Sequence, residues 1–348
     1  MEPLNLHGVR PQDLVAALAA RGVEIPIQDA RRCQDWVLTR GQHDLGDPAL
    51  RIRRISRAAL REHTVCAGLV IEARERDPVD GSLRILFRAG DGACFEAVLI
   101  GLEQGGRFTA CLSSQVGCPL DCAFCATGRL GFRRQLEPWE MVASFCALRA
   151  EAAGRITGAV FMGQGEPFLN YDAVLQAAAV LSDPNGARVD KKSISISTAG
   201  WVPGIRRFTT EGHKQRLVVS LTSALPARRA VLMPSAARWT HRELGDALRA
   251  YSASSRRRVT LAWVLLGGVN HDQAEVDALV ELCREVRVRI SLLDVNDKRP
   301  DGFRRATDAE REDFIDRLQA LKAPIVRRYS VGLSSDSACG MLASAHQR

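Results

Sequence analysis

The sequence predicts an α/β protein: a partial (βα)6 barrel, preceded by a small N-terminal helical domain and a short antiparallel meander. Three observations carry this expectation. From about residue 107, short apolar runs alternate with helical stretches, which implies parallel strands joined by right-handed crossovers. Ahead of them stand three apolar runs separated by Asp/Gly turns, the pattern of a meander. Before that, residues 1 to about 65 recur with a helical period. Six strand–helix units suit an incomplete barrel better than a complete eight-unit one. The expected division is a helical RNA-binding appendage over 1–65, a meander and linker over 66–106 and the barrel over 107–300. A C-terminal helix, strand and loop over 301–348 then complete the site.

In chain order, Val15, Leu18 and Ala19 follow Pro11 at helical spacing, and Val37 and Leu38 follow Ala30 and Cys33 on another turn. Arg51, Arg53, Arg54, Arg57 and Arg61 then run without an intervening acid. Arg53, Arg57 and Arg61 share one helix face, a row able to track phosphates. The alternative is a solvated face beside a core of Ile52, Ile55 and Leu60. Meander strands are expected over Cys66–Glu72, Leu83–Arg88 and Phe95–Ile100. Barrel strands are expected over Phe108–Leu112, Ala159–Met162, Ser193–Ser197, Leu217–Leu221, Val259–Leu266 and Val288–Leu293, with a later strand over Ile325–Ser330. Helices are expected over Trp139–Ala152, Tyr171–Leu181, His241–Ala253, Gln273–Val286 and Asp308–Leu321. A barrel of this kind places its site at the C-terminal strand ends.

Composition bounds the class. With 348 residues, 46% hydrophobic and 25% charged, the chain has ample apolar surface for a core. No run approaches the roughly 18 apolar residues of a membrane span, and MEPLNLHGVR lacks a signal-peptide core. The reading is a cytoplasmic, monomeric protein away from membranes, where clustered cysteines serve metal or redox chemistry. A net charge of +8 favours a polyanionic partner. Aromatics at 5% give no sign of a base-stacking platform.

The chemistry gathers at Cys111–Cys125, CLSSQVGCPLDCAFC, which holds four of the ten cysteines. Cys118, Cys122 and Cys125 form a C-x3-C-x2-C triplet. An ordinary four-iron cubane takes one thiolate per iron, so three leave one iron open to a small molecule. The other reading is a structural zinc site with a distant fourth ligand. At the next strand end stands Phe161-Met162-Gly163-Gln164-Gly165-Glu166-Pro167, where glycines allow close backbone approach and Glu166 could receive an ammonium group. Ser197-Thr198-Ala199-Gly200, Ser220-Leu221-Thr222 and Val295-Asn296-Asp297 end later strands and offer hydroxyl or amide groups. Singly each reads as turn chemistry; together they suit a ribose or an amino-acid carboxylate. Cys111 ends the first barrel strand, and Cys339 stands in a late loop beside Gly340. Cys33, Cys66, Cys94, Cys146 and Cys283 read as buried small hydrophobes.

The triplet resembles the signature of radical S-adenosylmethionine (SAM) enzymes, with Phe124 inside the last C-x2-C adding to the likeness. More closely, CLSSQVGCPLDCAFCATG, FMGQGEPFLN, SISISTAGWVPGI, VVSLTSALPARRAVLMP and DSACG resemble, in order over residues 95–343, the RlmN/Cfr family of radical SAM RNA adenine methyltransferases. The resemblance implies a TIM-like radical SAM barrel, a [4Fe-4S] cluster on Cys118, Cys122 and Cys125, and SAM on the open iron. It implies SAM contacts at Gly165, Glu166, Ser197, Ser220, Leu221, Thr222 and Asn296. The implied reaction is methylation of an adenine ring carbon, C2 in preference to C8, in 23S rRNA or tRNA, with flavodoxin or ferredoxin as electron donor. Cys339 would take a methyl group from one SAM, and a 5′-deoxyadenosyl radical from a second would remove a hydrogen from it. The methylene would add to adenine, and Cys111 would remove the adduct proton and close a transient disulfide with Cys339. Glu96 matches the family's acidic proton acceptor. The chain departs from the family at Gln164, where Met is usual, at Thr222, where His is usual, and around Cys339. Alternatives are a radical SAM enzyme of another reaction, or a zinc-stabilised RNA-binding protein without catalysis.

Overall fold

The computed structural model describes residues 2–102, 105–295 and 302–328. Its centre is a ten-stranded sheet whose spatial order follows the chain order. Strands β1 (Val70–Arg76), β2 (Leu83–Arg88), β3 (Cys94–Gly101) and β4 (Arg107–Leu112) pair antiparallel. On its other edge β4 starts a parallel series. The series continues through β5 (Arg155–Phe161), β6 (Ile194–Thr198), β7 (Arg216–Ser220), β8 (Val259–Leu265), β9 (Val288–Asp294) and β10 (Ile325–Arg328). The meander thus extends the barrel sheet without a break.

Among the described residues, two strands differ from the sequence reading by more than one residue, each for a local reason. β1 lies over Val70–Arg76, not Cys66–Glu72, and alternates between exposed and half-buried positions. An edge strand with one wet face accepts Glu72, Arg74 and Arg76, which an apolar-run criterion passes over. β5 starts at Arg155, four residues before the expected Ala159, and runs through Gly158. A Cβ at Gly158 would sit 3.1 Å from both Ser193 O and Thr109 Oγ1. That glycine permits close strand packing and does not break the strand.

Ten α-helices of at least seven residues are described. α1 (Pro11–Ala19), α2 (Ile27–Gln34) and α3 (Arg54–His63) form the appendage. α4 (Pro138–Glu151), α5 (Tyr171–Leu181), α6 (Val202–Thr210), α7 (Pro226–Leu232), α8 (His241–Ser255), α9 (Gln273–Leu282) and α10 (Asp308–Leu318) follow. The sequence reading missed α6 and α7. Each has proline in its first turn, a favoured start because the missing N–H is unneeded there. α9 stops at Leu282, short of Val286, because Glu285 adopts φ 63° and turns the chain into β9.

The two sheet faces differ. Leu261, Trp263 and Leu265 of β8 are fully buried in the main core, where Trp263 packs on Phe314 of α10. The opposite, inner face carries two small apolar groups, Val98–Cys111–Val160 and Val218–Ala262–Leu293, both touching Met162. Fully burying one such aliphatic side chain stabilises the fold by roughly 1.5–3 kcal/mol.

The appendage packs on α4, α5 and the loop after α5. Gln176 donates to Gly8 O at 2.6 Å, and Thr39 donates to Gly186 O at 3.0 Å. In α3, Leu60 is buried, but Ile55 is 70% exposed and belongs to no core. The Arg57 guanidinium donates to the carbonyls of Leu45, Asp47 and Leu50 at 2.9, 2.6 and 2.6 Å. It clamps the 45–50 loop, so the expected row of phosphate-tracking arginines loses its middle member. Of the five cysteines read as buried, Cys33 and Cys283 are, whereas Cys66, Cys94 and Cys146 are half-buried. Among the described residues, no helix is long and apolar enough to cross a membrane.

Candidate functional site: a cysteine loop over the strand ends

The chain leaves β4 and forms a ribbon in which Gln115–Gly117 pairs antiparallel with Phe132–Gln135. The cysteine triplet is the tip of that ribbon. Gly117 is obligatory at its neck, since it holds φ 74° and a Cβ there would lie 1.8 Å from Gly131 O. Cys118 N donates to Gly131 O at 2.9 Å, Cys125 N to Cys122 O at 2.9 Å, and Ala123 N to Leu232 O of α7 at 3.0 Å. The loop is therefore fixed at both ends and in the middle.

The three thiols rest on an apolar bed that includes Leu120, Phe124, Leu232, Met233 and Leu266. Burial pushes the Cys118 thiol up to about 12, with Cys125 and Glu166 adding to the rise. Burial also pushes Cys122 far up, reinforced by Cys125 and Cys118. Thiols held this way become ligands only when a metal supplies the compensating charge. Among the described residues, no group of three or more His, Cys, Asp or Glu is gathered for a single metal ion. A cubane, with one thiolate per iron, asks for ligands that stand farther apart than those of one ion.

Behind the loop lies Arg229 of α7, which the sequence reading missed. Its guanidinium is 2% exposed and donates to Leu221 O at 2.5 Å and Ala199 O at 2.6 Å, so it staples the ends of β7 and β6. Burial pulls it down to about 10, and Cys122 opposes that fall. Its neighbour Arg228, partly exposed, instead pairs with the buried Glu275 and the exposed Asp272, both at 2.7 Å. The doublet Arg228-Arg229 looks uniform in the sequence; only the facing of α7 separates an arginine paired with two carboxylates from a buried cation bonded to backbone carbonyls.

Glu166, after β5, is buried, and its carboxylate accepts from Phe168 N at 3.0 Å and Ala199 N at 2.7 Å. Burial pushes it up to about 7 against those hydrogen bonds and one from Thr198. It ties the ends of β5 and β6 together. Gly165 holds φ 102°, and a Cβ on it would strike Gln115 at 2.6 Å. Gln115, also missed in the sequence, accepts from Glu166 N at 2.8 Å.

The register gathers further candidates on the inner face. Val98 pairs with Cys111, Cys111 with Val160, Ser197 with Val218 and Ser220 with Ala262. Paired residues, and residues two apart on a strand, share a face. Glu96, Cys111, Ser113, Ser197 and Ser220 therefore face the same side. Glu96 is 1% exposed and accepts from Arg84 at 3.0 Å, and Ser113 donates to its carbonyl at 2.5 Å. Ser197 and Ser220 hydroxyls stand 3.4 Å apart. Leu221 N donates to Ala262 O at 2.9 Å. Thr222 is buried at φ 57°, an uncommon state for a β-branched residue and one found where a site stores strain. Its Oγ1 and both amide atoms of Gln164 are buried with no hydrogen-bond partner among the described residues. Asn296 and Cys339 lie outside the described residues.

These features fit an anionic iron–sulfur centre with a polar small-molecule ligand. Three thiols share an apolar bed, a buried cation faces them without a carboxylate, and unpartnered polar atoms end two nearby strands.

Comparison with known proteins gives the same direction. Residues 112–283 match the Radical SAM superfamily. A probable RNA methyltransferase of Anaeromyxobacter sp. (strain Fw109-5) is 47% identical over 93% of this chain and 96% of its own. A probable dual-specificity RNA methyltransferase RlmN of Chlorobium chlorochromatii is 36% identical over 99% of this chain and 96% of its own. The crystal structure of a radical SAM methyltransferase from Sphaerobacter thermophilus superposes with a TM-score of 0.88 at 34% identity, covering 98% of this chain and 99% of that one.

Proposed function

This chain belongs to the RlmN family of radical SAM RNA methyltransferases, and on that premise we propose that it methylates a ring carbon of adenine, C2 in preference to C8, through a methylated Cys339. The substrates on this reading are 23S rRNA and tRNA. Relatives described as dual-specificity RNA methyltransferases support more than one RNA substrate. We place the enzyme in the cytoplasm, where flavodoxin or ferredoxin would supply electrons.

In this reading Cys118, Cys122 and Cys125 hold the cluster, and Arg229 offsets its negative charge. Glu166 shapes the turn that receives SAM, with Gly165, Leu221, Ser197, Ser220, Thr222 and Asn296 around it. When bound, the cluster supplies the electron that cleaves SAM so that a hydrogen atom can be taken from the Cys339 methyl group. C2 and C8 of adenine are electrophilic amidine carbons, so a carbon radical adds where ordinary attack on SAM fails. The adduct would give one electron back to the oxidised cluster and its ring proton to Cys111, and Glu96 would accept that proton from Cys111. The Cys111 thiolate would then attack the Cys339 sulfur, so that the disulfide forms as the C–S bond breaks and the freed carbon takes up a proton to become the methyl group.

The observation that carries this reading is the placement of Cys111: a buried thiol on the inner face, two residues before Ser113 and on the strand leading into the cluster loop. A buried core thiol replaced by alanine costs stability and leaves chemistry intact. A resolving thiol does the reverse. Cys111→Ala should accumulate a nuclease-resistant nucleotide adduct on Cys339, read by intact-mass spectrometry. A folded, cluster-loaded Cys111→Ala enzyme that turns over normally sinks the proposal. Nucleoside mass spectrometry of RNA from a strain lacking the gene, before and after treatment with the enzyme, decides C2 against C8.

A further inference from the structure

The cysteine loop occupies the C-terminal ends of the strands, yet a concentration of cations lies at the other end. One cleft of about 590 Å³ opens between the appendage and the loop after α5. Arg31, Arg32 and Arg40 come from the α2 region, Arg51 from the segment before α3, and Arg188 from the loop. The one acid in its lining, Asp35, is already held by Arg188 at 2.6 Å and Arg40 at 3.2 Å. Arg32 donates to Arg51 O at 2.6 Å. Arg31 and Arg51 are exposed and make no ion pair among the described residues. Five guanidiniums against one carboxylate leave four uncompensated positive charges.

A second cleft of about 540 Å³ shares Arg188 and continues along the rim, where Arg107 and Arg155 begin β4 and β5, and its one acid, Asp190, accepts from Lys192 N at 2.9 Å. Lys191 and Lys192 stand exposed just beyond it. Arg188 forms the ridge between the clefts at φ 61°, with Nε donating to Pro184 O at 3.0 Å. With Thr39 bonded to Gly186, this loop holds both clefts in a fixed relation.

β5 runs from Arg155 at this rim to Phe161 beside the site. At about 3.3 Å per residue the clefts lie roughly 20 Å from the reacting end. A group bound here cannot be the reacting base. The two clefts together are too large for one phosphate and suit a chain of evenly spaced ones. We propose that this rim is a second RNA-binding surface, seating phosphates of a substrate segment remote from the modified nucleotide. It rests on the reading of RNA as substrate. An RNA spanning both places extends by at least about 20 Å, roughly six steps at a duplex-like 3.4 Å.

The test uses the anaerobic holoenzyme and a labelled stem-loop of about 30 nucleotides, with binding followed by anisotropy over a chloride series. Arg31→Ala/Arg51→Ala and Arg155→Ala should each weaken binding at least threefold at low salt. The double variant should make the slope of log Kd against log salt shallower by up to about 1.8, at about 0.9 per lost duplex-like phosphate contact. Arg31→Lys/Arg51→Lys should restore the slope, and melting temperatures should match wild type, since both side chains are exposed. Unchanged affinity and slope in the alanine variants overturn the proposal. So does displacement of the RNA by inorganic phosphate beyond the effect of chloride at equal ionic strength, which would make this a small-anion site. Binding is read without turnover, so failure of adenine methylation in the mass-spectrometric assay is a separate result that leaves this test intact.

Discussion

Replacing Arg229 by methionine tests whether a single buried cation holds the strand ends under the cysteine loop. Methionine has similar length and no charge, so the change removes hydrogen bonds with little change in volume. Ala199 O loses its donor from Arg229, while Leu221 O keeps one from Ser223 N at 2.6 Å. Two hydrogen bonds to a charged group contribute about 1.5–3 kcal/mol each. Relief of the charge's desolvation offsets part of that loss. The net expectation is a destabilisation of about 2–4 kcal/mol in the protein without its cluster. At about 2.1 cal/mol/K per residue, 348 residues give an unfolding entropy near 0.7 kcal/mol/K, so the melting temperature should fall by about 3–6 °C. Calorimetry on anaerobic apoprotein measures it. Arg229→Lys should recover less than half, because a point charge cannot bridge two carbonyls as the guanidinium fork does. A fall of under 1 °C in Arg229→Met would refute the staple.

Two further outcomes follow from side chains that burial sets apart. His7 is 3% exposed, and burial, then His43 and Arg149, lower it to about 4. Its folded value lies below the unfolded one near 6.5, so its stability contribution is whole above pH 6.5 and is lost as pH falls through 4. The loss amounts to roughly 3 kcal/mol at 1.36 kcal/mol per unit. His7→Gln should lack it, so the two melting curves converge between pH 7 and 4; parallel curves refute the assignment. Arg57→Ala removes three guanidinium bonds to backbone carbonyls. It should cost about 2–4 kcal/mol while leaving the salt dependence of RNA binding unchanged. A shallower slope would return Arg57 to the phosphate-tracking row.

The site carries cost in its own construction. Thr222 is held at positive φ, Gln164 and Thr222 bury unpartnered polar atoms, and Glu166 is a carboxylate with no ion-pair partner described. Each feature destabilises an empty pocket, by about 1–3 kcal/mol for an unsatisfied group. Their collection at the ends of β5 and β7, on either side of β6, is what a binding site for a polar, charged ligand requires.

The sequence by itself determined what depends on short spacing. Strand–helix alternation and glycine-bearing turns after successive strands are local patterns, and the folded chain places them as their spacing implies; the three thiols within eight residues fall on one loop. Helix and strand ends moved where a neighbour decided them: Gly158 sits inside β5 because Ser193 and Thr109 press against it, and Glu285 ends α9 early by turning into β9. Only the tertiary structure could separate Arg228 from Arg229 or withdraw Arg57 from the basic row. Only folding could gather Arg31, Arg51, Arg155 and Arg188 along one rim. The physical reason is that a guanidinium's role is set by what surrounds its tip, several bonds from the backbone. Those surroundings come from segments up to 150 or so positions away, which no periodicity along the chain records.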